Sequence, residues 1–307
     1  MQATPGSKRG IFFFFATLVA LAIVRVLLQS YADVPITILP VANALMGALF
    51  LGGPLLALCF AARDRWNPQL AAKFVVAGVV IQIGCVLLNR HVFHHSGLAS
   101  QIANATGQVG LPMWCVGLGA LLATLIKDKN IIVPIAIFLG FLDMFLVFSP
   151  LGVTRVLIGH FPGLLPAIAV QVPRAAHVVA KAKVSPGSLA GPADFLFLAM
   201  FLIAIFRFNM RGRLTVMIVI PTLIAYMFLV TVVNFSLPAL VPIGAVVLIV
   251  NWKEFKLSKD EKYSTLGVAF AGLALFTWGM FQKPTVVQAD PSPTATAQGS
   301  PESPKTQ

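Results

Sequence analysis

Two aspartates carry most of the chemistry this sequence can do. Of its ten acidic residues, Asp33, Asp64, Asp128, Glu254, Asp260, Glu261, Asp290 and Glu302 fall in polar stretches, at the ends of apolar runs or in the tail, whereas Asp143 and Asp194 stand inside long apolar runs. If those runs cross a bilayer, each ionised carboxylate costs roughly 3 kcal/mol or more, so it is expected to face a protein-lined cavity and to have a use. Two carboxylates held close in such a site do not both ionise easily, so they share a proton and titrate as a unit. The ionised member can then take a proton from water while the protonated one polarises a carbonyl, which is hydrolytic equipment. The same two groups can instead relay protons or cations in a transporter, and the acids alone leave both uses open.

The elements that must position them are helices in lipid. The chain has 307 residues, 58% of them hydrophobic and 10% charged, with a mean hydropathy of +0.89. That is more apolar surface than one water-soluble core can hide. About 20 apolar residues make one helical crossing, and nine stretches qualify, at approximately 11–30, 35–61, 70–89, 107–126, 131–149, 189–206, 214–233, 237–251 and 264–281. The expected fold is therefore all-α, a polytopic transmembrane helical bundle of about nine spans. The first span follows Lys8 and Arg9 as a signal peptide would, but its apolar run is long and no small-residue cleavage site follows, so it reads as retained. The tail 283–307, rich in Pro, Ser and Thr, reads as disordered.

Basic residues are sorted by loop. With the N-terminus cytoplasmic, the inner segments carry Lys8, Arg9, Arg63, Arg65, Lys73, Lys127, Lys129, Arg207, Arg211, Arg213, Lys253, Lys256, Lys259 and Lys262, fourteen of the 22. Insertion favours this arrangement, which accounts for the net charge of +12 without nucleic acid and places the C-terminal tail outside. Asp143 then lies about six residues before the outer end of the fifth span and Asp194 about five after the outer start of the sixth. Each is roughly 8–10 Å deep, so the carboxylates can meet. A tenth crossing in 150–188 would separate them. The stretch VLIGHFPGLLPAIAVQV is apolar enough, but Arg155, His160, Pro162 and Pro166 interrupt it and an extra crossing would reverse every later loop, so a re-entrant or surface-lying segment is expected.

Around the aspartates the sequence resembles the presenilin and signal peptide peptidase family of intramembrane aspartyl proteases. LDMFLVFSPLGVTRVL, Leu142 to Leu157, is similar to that family's YD motif and its sequel, with Asp143 in the place of the first catalytic aspartate and Leu142 replacing Tyr. GPADFLFL, Gly191 to Leu198, is similar to the GxGD motif, with Asp194 in the place of the second and Ala193 replacing Gly. SLPALVP contains the PAL motif as Pro238, Ala239 and Leu240. Three motifs in order are more specific than any one of them. The resemblance covers roughly 131–251 and implies a presenilin-like bundle and an aspartic endopeptidase acting on transmembrane helices or signal peptides. It divides the chain into a four-span region 1–130, a catalytic region 131–251, an inner loop and final span 252–282, and the tail. The family usually ends with the PAL span, so 264–281 is additional. Leu142 lacks a hydroxyl that could orient a carboxylate, and the Ala193 methyl could narrow a cleft where the family has close backbone approach. Pro238, which cannot donate a backbone hydrogen bond, either leaves nearby main chain available to an extended substrate or simply starts a helix, and Gly191 and Pro192 carry the same two readings.

The remaining candidates are weaker. Cys59, Cys85 and Cys115 fall within spans at spacings that suit neither zinc nor disulfides. Arg90, His91, His94 and His95 read as an interfacial anchor, so no metal is expected. No phosphate-binding loop, dinucleotide fingerprint, HExxH or GxSxG motif points to a cofactor. A prepilin-peptidase-like enzyme would have a basic residue soon after the second aspartate, and Phe195 to Phe206 has none. A transporter, or a homologue that binds helices without cutting them, stays as the alternative. The location expected is a membrane, the plasma membrane of a microbe, with lipid as the surrounding partner.

Overall fold

In the computed structural model, residues 9–29, 37–93, 97–150, 169–172, 189–233 and 237–282 are described. Nine α-helices form among them: α1 (Arg9–Gln29), α2 (Leu39–Ala61), α3 (Pro68–His91), α4 (Gly97–Leu125), α5 (Ile132–Phe148), α6 (Pro192–Arg207), α7 (Gly212–Val233), α8 (Leu240–Asn251) and α9 (Lys259–Met280). The sole extended pairing among the described residues joins β1 (Val170–Gln171) to β2 (Leu189–Ala190), antiparallel, with Val170 opposite Ala190 and Gln171 opposite Leu189. Six helices, α1 to α5 and α9, are long and apolar enough to cross a membrane. Most of 150–188, His94 and His95, and the tail from 283 lie outside the described residues.

Two helices begin earlier than hydropathy suggests, and polar pairing explains both. α4 starts at Gly97, ten residues before the apolar stretch, because its polar first turns are satisfied against α3: Ser100 Oγ donates to Asn89 Oδ1 at 2.6 Å and Asn89 Nδ2 donates to Asn104 Oδ1 at 2.8 Å. α9 starts at Lys259 with a capping box, in which Glu261 N–H donates to Ser258 Oγ and Ser258 N–H donates to Glu261 Oε2.

Helix ends collect at one side of the bundle. Asp64, after α2, accepts the Gly10 and Ile11 N–H groups at the start of α1. Arg207, closing α6, donates to the Ala123 and Ile126 carbonyls at the end of α4. Asn251, closing α8, accepts from Arg211 N–H and donates to Thr215 Oγ1 at the start of α7. Asn130, before α5, donates to the Lys256 carbonyl and to Glu261 at the start of α9. Successive helices therefore alternate in direction, and α5 and α6 run antiparallel.

α6 is the central helix. Phe195, Leu198, Phe201, Leu202 and Ile205 are each at most 1% exposed, as expected of a helix apolar on every side. α4 approaches it closely at Gly119, where an added Cβ would lie 2.6 Å from the Leu196 carbonyl oxygen. Small residues of this kind let backbones approach where lipid supplies no hydrophobic force between helices. α9 packs along α5, with Phe145 stacked on Trp278 and Ser149 Oγ donating to the Gly279 carbonyl at 3.0 Å. α9 thus buttresses the helix that carries Asp143.

Candidate active site

α5 and α6 bring Asp143 and Asp194 to the same side of the bundle, opposite the collected ends described above. Asp143 lies five residues before the last residue of α5. Asp194 is shallower in its helix than the apolar run suggests: α6 begins at Pro192, so Asp194 sits in the first turn. The reason is local, since Gly191 is extended (φ −68°, ψ 151°) and Pro192 takes the first helical position, where its missing N–H costs nothing. The two carboxylates are close enough for the charge on Asp143 to act on Asp194.

Each carboxylate is held by a backbone N–H, that of Asp143 from the PAL segment and that of Asp194 from the start of its own motif. Asp143 Oδ2 accepts from Leu240 N–H at 2.8 Å, which ties α5 to the first residue of α8. Asp194 accepts from Gly191 N–H, so the third residue of α6 reaches back to its N-cap. Both acids therefore sit at helix N-termini, where unpaired N–H groups and the helix dipole favour negative charge. Pro238, Ala239 and Leu240 are buried. Because Pro238 precedes α8, it leaves non-helical chain beside Asp143. Leu142 packs against the core, and the Ala193 methyl is exposed next to Asp194. Cys115 Sγ donates to the Pro192 carbonyl at 3.4 Å, fastening α4 to the start of α6.

One residue of the site escaped sequence reasoning. Tyr226, on α7, has a hydroxyl that is buried and is the only such side-chain polar atom without a hydrogen-bond partner among the described residues. Both Asp143 and Asp194 act on it electrostatically. Its position inside an apolar run could have drawn attention, but only packing brings it within electrostatic reach of the acids. On the other flank, β2 runs directly into Gly191, and its partner β1 is anchored to α4 by Gln108 Nε2 donating to the Ala169 carbonyl at 3.4 Å, with Val170 3% exposed.

No group of three or more metal-ligating side chains occurs among the described residues. The arrangement offers two acids that can divide the roles of base and acid, a phenolic donor, and short non-helical backbone on both sides. Comparison with known protein families, curated proteins and solved structures finds no match to this chain.

Proposed function

We propose that this protein is an intramembrane aspartyl protease of the presenilin and signal peptide peptidase type, which hydrolyses peptide bonds of transmembrane helices with Asp143 and Asp194. The observation that carries the reading is convergence: three motifs distant in sequence meet at one site, with Asp143 bound to the main chain of Leu240 and lying beside Asp194. A helix cap alone does not call for a second buried acid and a phenolic hydroxyl at the same place.

In this reading the ionised carboxylate takes a proton from water as the water attacks the scissile carbonyl, and the protonated carboxylate donates to the carbonyl oxygen. Tyr226 supplies a third contact, donating to the attacking water or to the developing oxyanion. It meets the need for a hydroxyl that Leu142 leaves open. A substrate helix must unwind locally, and irregular backbone is tolerated at membrane depth only where protein encloses it or water fills it. α6 and α8 suit this requirement. With 16 and 12 residues they span about 24 and 18 Å, short of the roughly 30 Å hydrocarbon core, and both stop being helical on the aspartate side. The β1–β2 pair places extended main chain directly before Gly191, of the kind to which an extended segment can add. The antiparallel run of α5 and α6 favours the nine-crossing reading, in which the connection between them enters and leaves on one face.

The test is cleavage of single-span reporter helices by purified protein in liposomes, beside Asp143→Asn and Asp194→Asn. Asparagine still accepts the Leu240 and Gly191 N–H groups, so both variants should fold. Fragments from wild type and from neither variant are expected. Intact reporters throughout, from protein that melts cooperatively, would favour a transporter or a non-catalytic helix binder.

A further inference from the structure

On the side opposite the aspartates, a recess of about 1730 Å³ opens between the α1–α3 ends and the α6–α7 turn. Arg9 reaches it from the start of α1, Arg63 and Arg65 from the α2–α3 connection, Lys73 from α3 and Arg213 from α7. None of these five has an acidic partner among the described residues. Arg207 and Arg211 also line the recess but are engaged, the first with the Ala123 and Ile126 carbonyls and the second with Glu254 at 3.6 Å. The one acid in the lining, Asp64, is committed to the Gly10 and Ile11 N–H groups.

Loop sorting during insertion accounts for cations on this side but not for their convergence. The other described basic residues there, Lys127, Lys129, Lys253, Lys256, Lys259 and Lys262, stand among Asp128, Glu254, Asp260 and Glu261 and line no part of the recess. Cations on that half of the face are interspersed with acids, whereas the recess holds seven cations and a single acid, Asp64. Its walls are also amphiphilic, with Phe13, Phe206 and Leu214 beside the cations. A small soluble anion would gain nothing from those apolar walls. A membrane lipid with an anionic headgroup would satisfy both, with phosphate among the arginines and acyl chain along the apolar surface.

We propose that this recess is a binding site for an anionic glycerophospholipid of the adjoining leaflet, which holds α1 and α3 against the end of the Asp194-bearing helix. The assignment does not depend on the protease reading. It is tested by the binding of short-chain fluorescent phosphatidylglycerol and phosphatidylcholine to the detergent-solubilised full chain. Wild type should bind phosphatidylglycerol at least ~10-fold more tightly, a difference of about 1.4 kcal/mol. Arg65→Gln/Lys73→Gln/Arg213→Gln should lose that preference. Lys127→Gln/Lys256→Gln/Lys259→Gln, which removes the same charge from the same side, should keep it. Equal binding of the two lipids by wild type, or equal loss in both triple variants, would overturn the proposal. Full displacement of phosphatidylglycerol by millimolar inorganic phosphate would reassign the site to a free anion and overturn the lipid assignment. A melting temperature for each variant separates loss of the site from loss of the fold.

Discussion

Asp143 and Asp194 each have two jobs in their surroundings, because the N–H group that satisfies a helix start also fixes a carboxylate. That coupling keeps the acids oriented without a tyrosine at position 142. Tyr226 provides the sharper test at this scale. An unpartnered buried hydroxyl costs about 1–3 kcal/mol, so Tyr226→Phe should leave stability unchanged or raise it. If the hydroxyl serves the reaction, kcat should nevertheless fall on the order of 10²-fold with KM little changed. Kinetics and thermal melts on the same preparation check both halves, and unchanged kcat would return Tyr226 to apolar packing. In the proposed protease the exposed Ala193 methyl flanks the second catalytic acid, so Ala193→Gly should alter the preferred cleavage position while leaving the melting temperature near that of wild type. Product mass spectrometry reads the first and calorimetry the second.

At the scale of elements, the site depends on how closely α4 and α5 approach α6 and α8. An added Cβ at Gly119 would lie 2.6 Å from the Leu196 oxygen and 2.9 Å from the Met200 nitrogen, and backbone cannot yield cheaply. Gly119→Ala is therefore expected to cost about 1–3 kcal/mol, with lower cleavage activity as α6 shifts. Gly84→Ala is the matched control, since nothing lies within 4 Å of an added Cβ there. It should be neutral or stabilising by about 0.5–1 kcal/mol. Denaturant titrations in micelles would compare the two, and equal effects would refute the close-approach argument. The all-helical character and the approximate limits of several of these helices are readable from apolar run length alone. The early starts of α4 and α9 are not, because they rest on partners in other segments: Asn89 for α4, and Asn130 across from Glu261 for α9.

For the whole molecule, the alternation of helix direction gathers the basic ends on one side and the aspartates on the other. If the N-terminus is cytoplasmic, the protease proposed above has the signal peptide peptidase orientation, which predicts a preference for substrates whose own N-terminus is cytoplasmic. Reporters inserted in opposite orientations into the same proteoliposomes should be cut unequally in that direction, and equal cutting would sink the orientation argument. What the sequence by itself determined is what lipid dictates locally: a backbone without water must be helical, apolar runs must be long, and two acids inside them stand out because burying charge is costly. What only the tertiary structure decided is everything set by which helix lies beside which. That includes the bond from Leu240 to Asp143, the placing of Tyr226 within electrostatic reach of both acids, the bracing of α5 by α9, and the gathering of cations from separate helix ends around one recess. Helix formation in a bilayer follows from each segment's own composition, but neighbour choice depends on small residues, caps and polar pairs whose partners lie up to more than a hundred residues away, as Ser149 and Gly279 do.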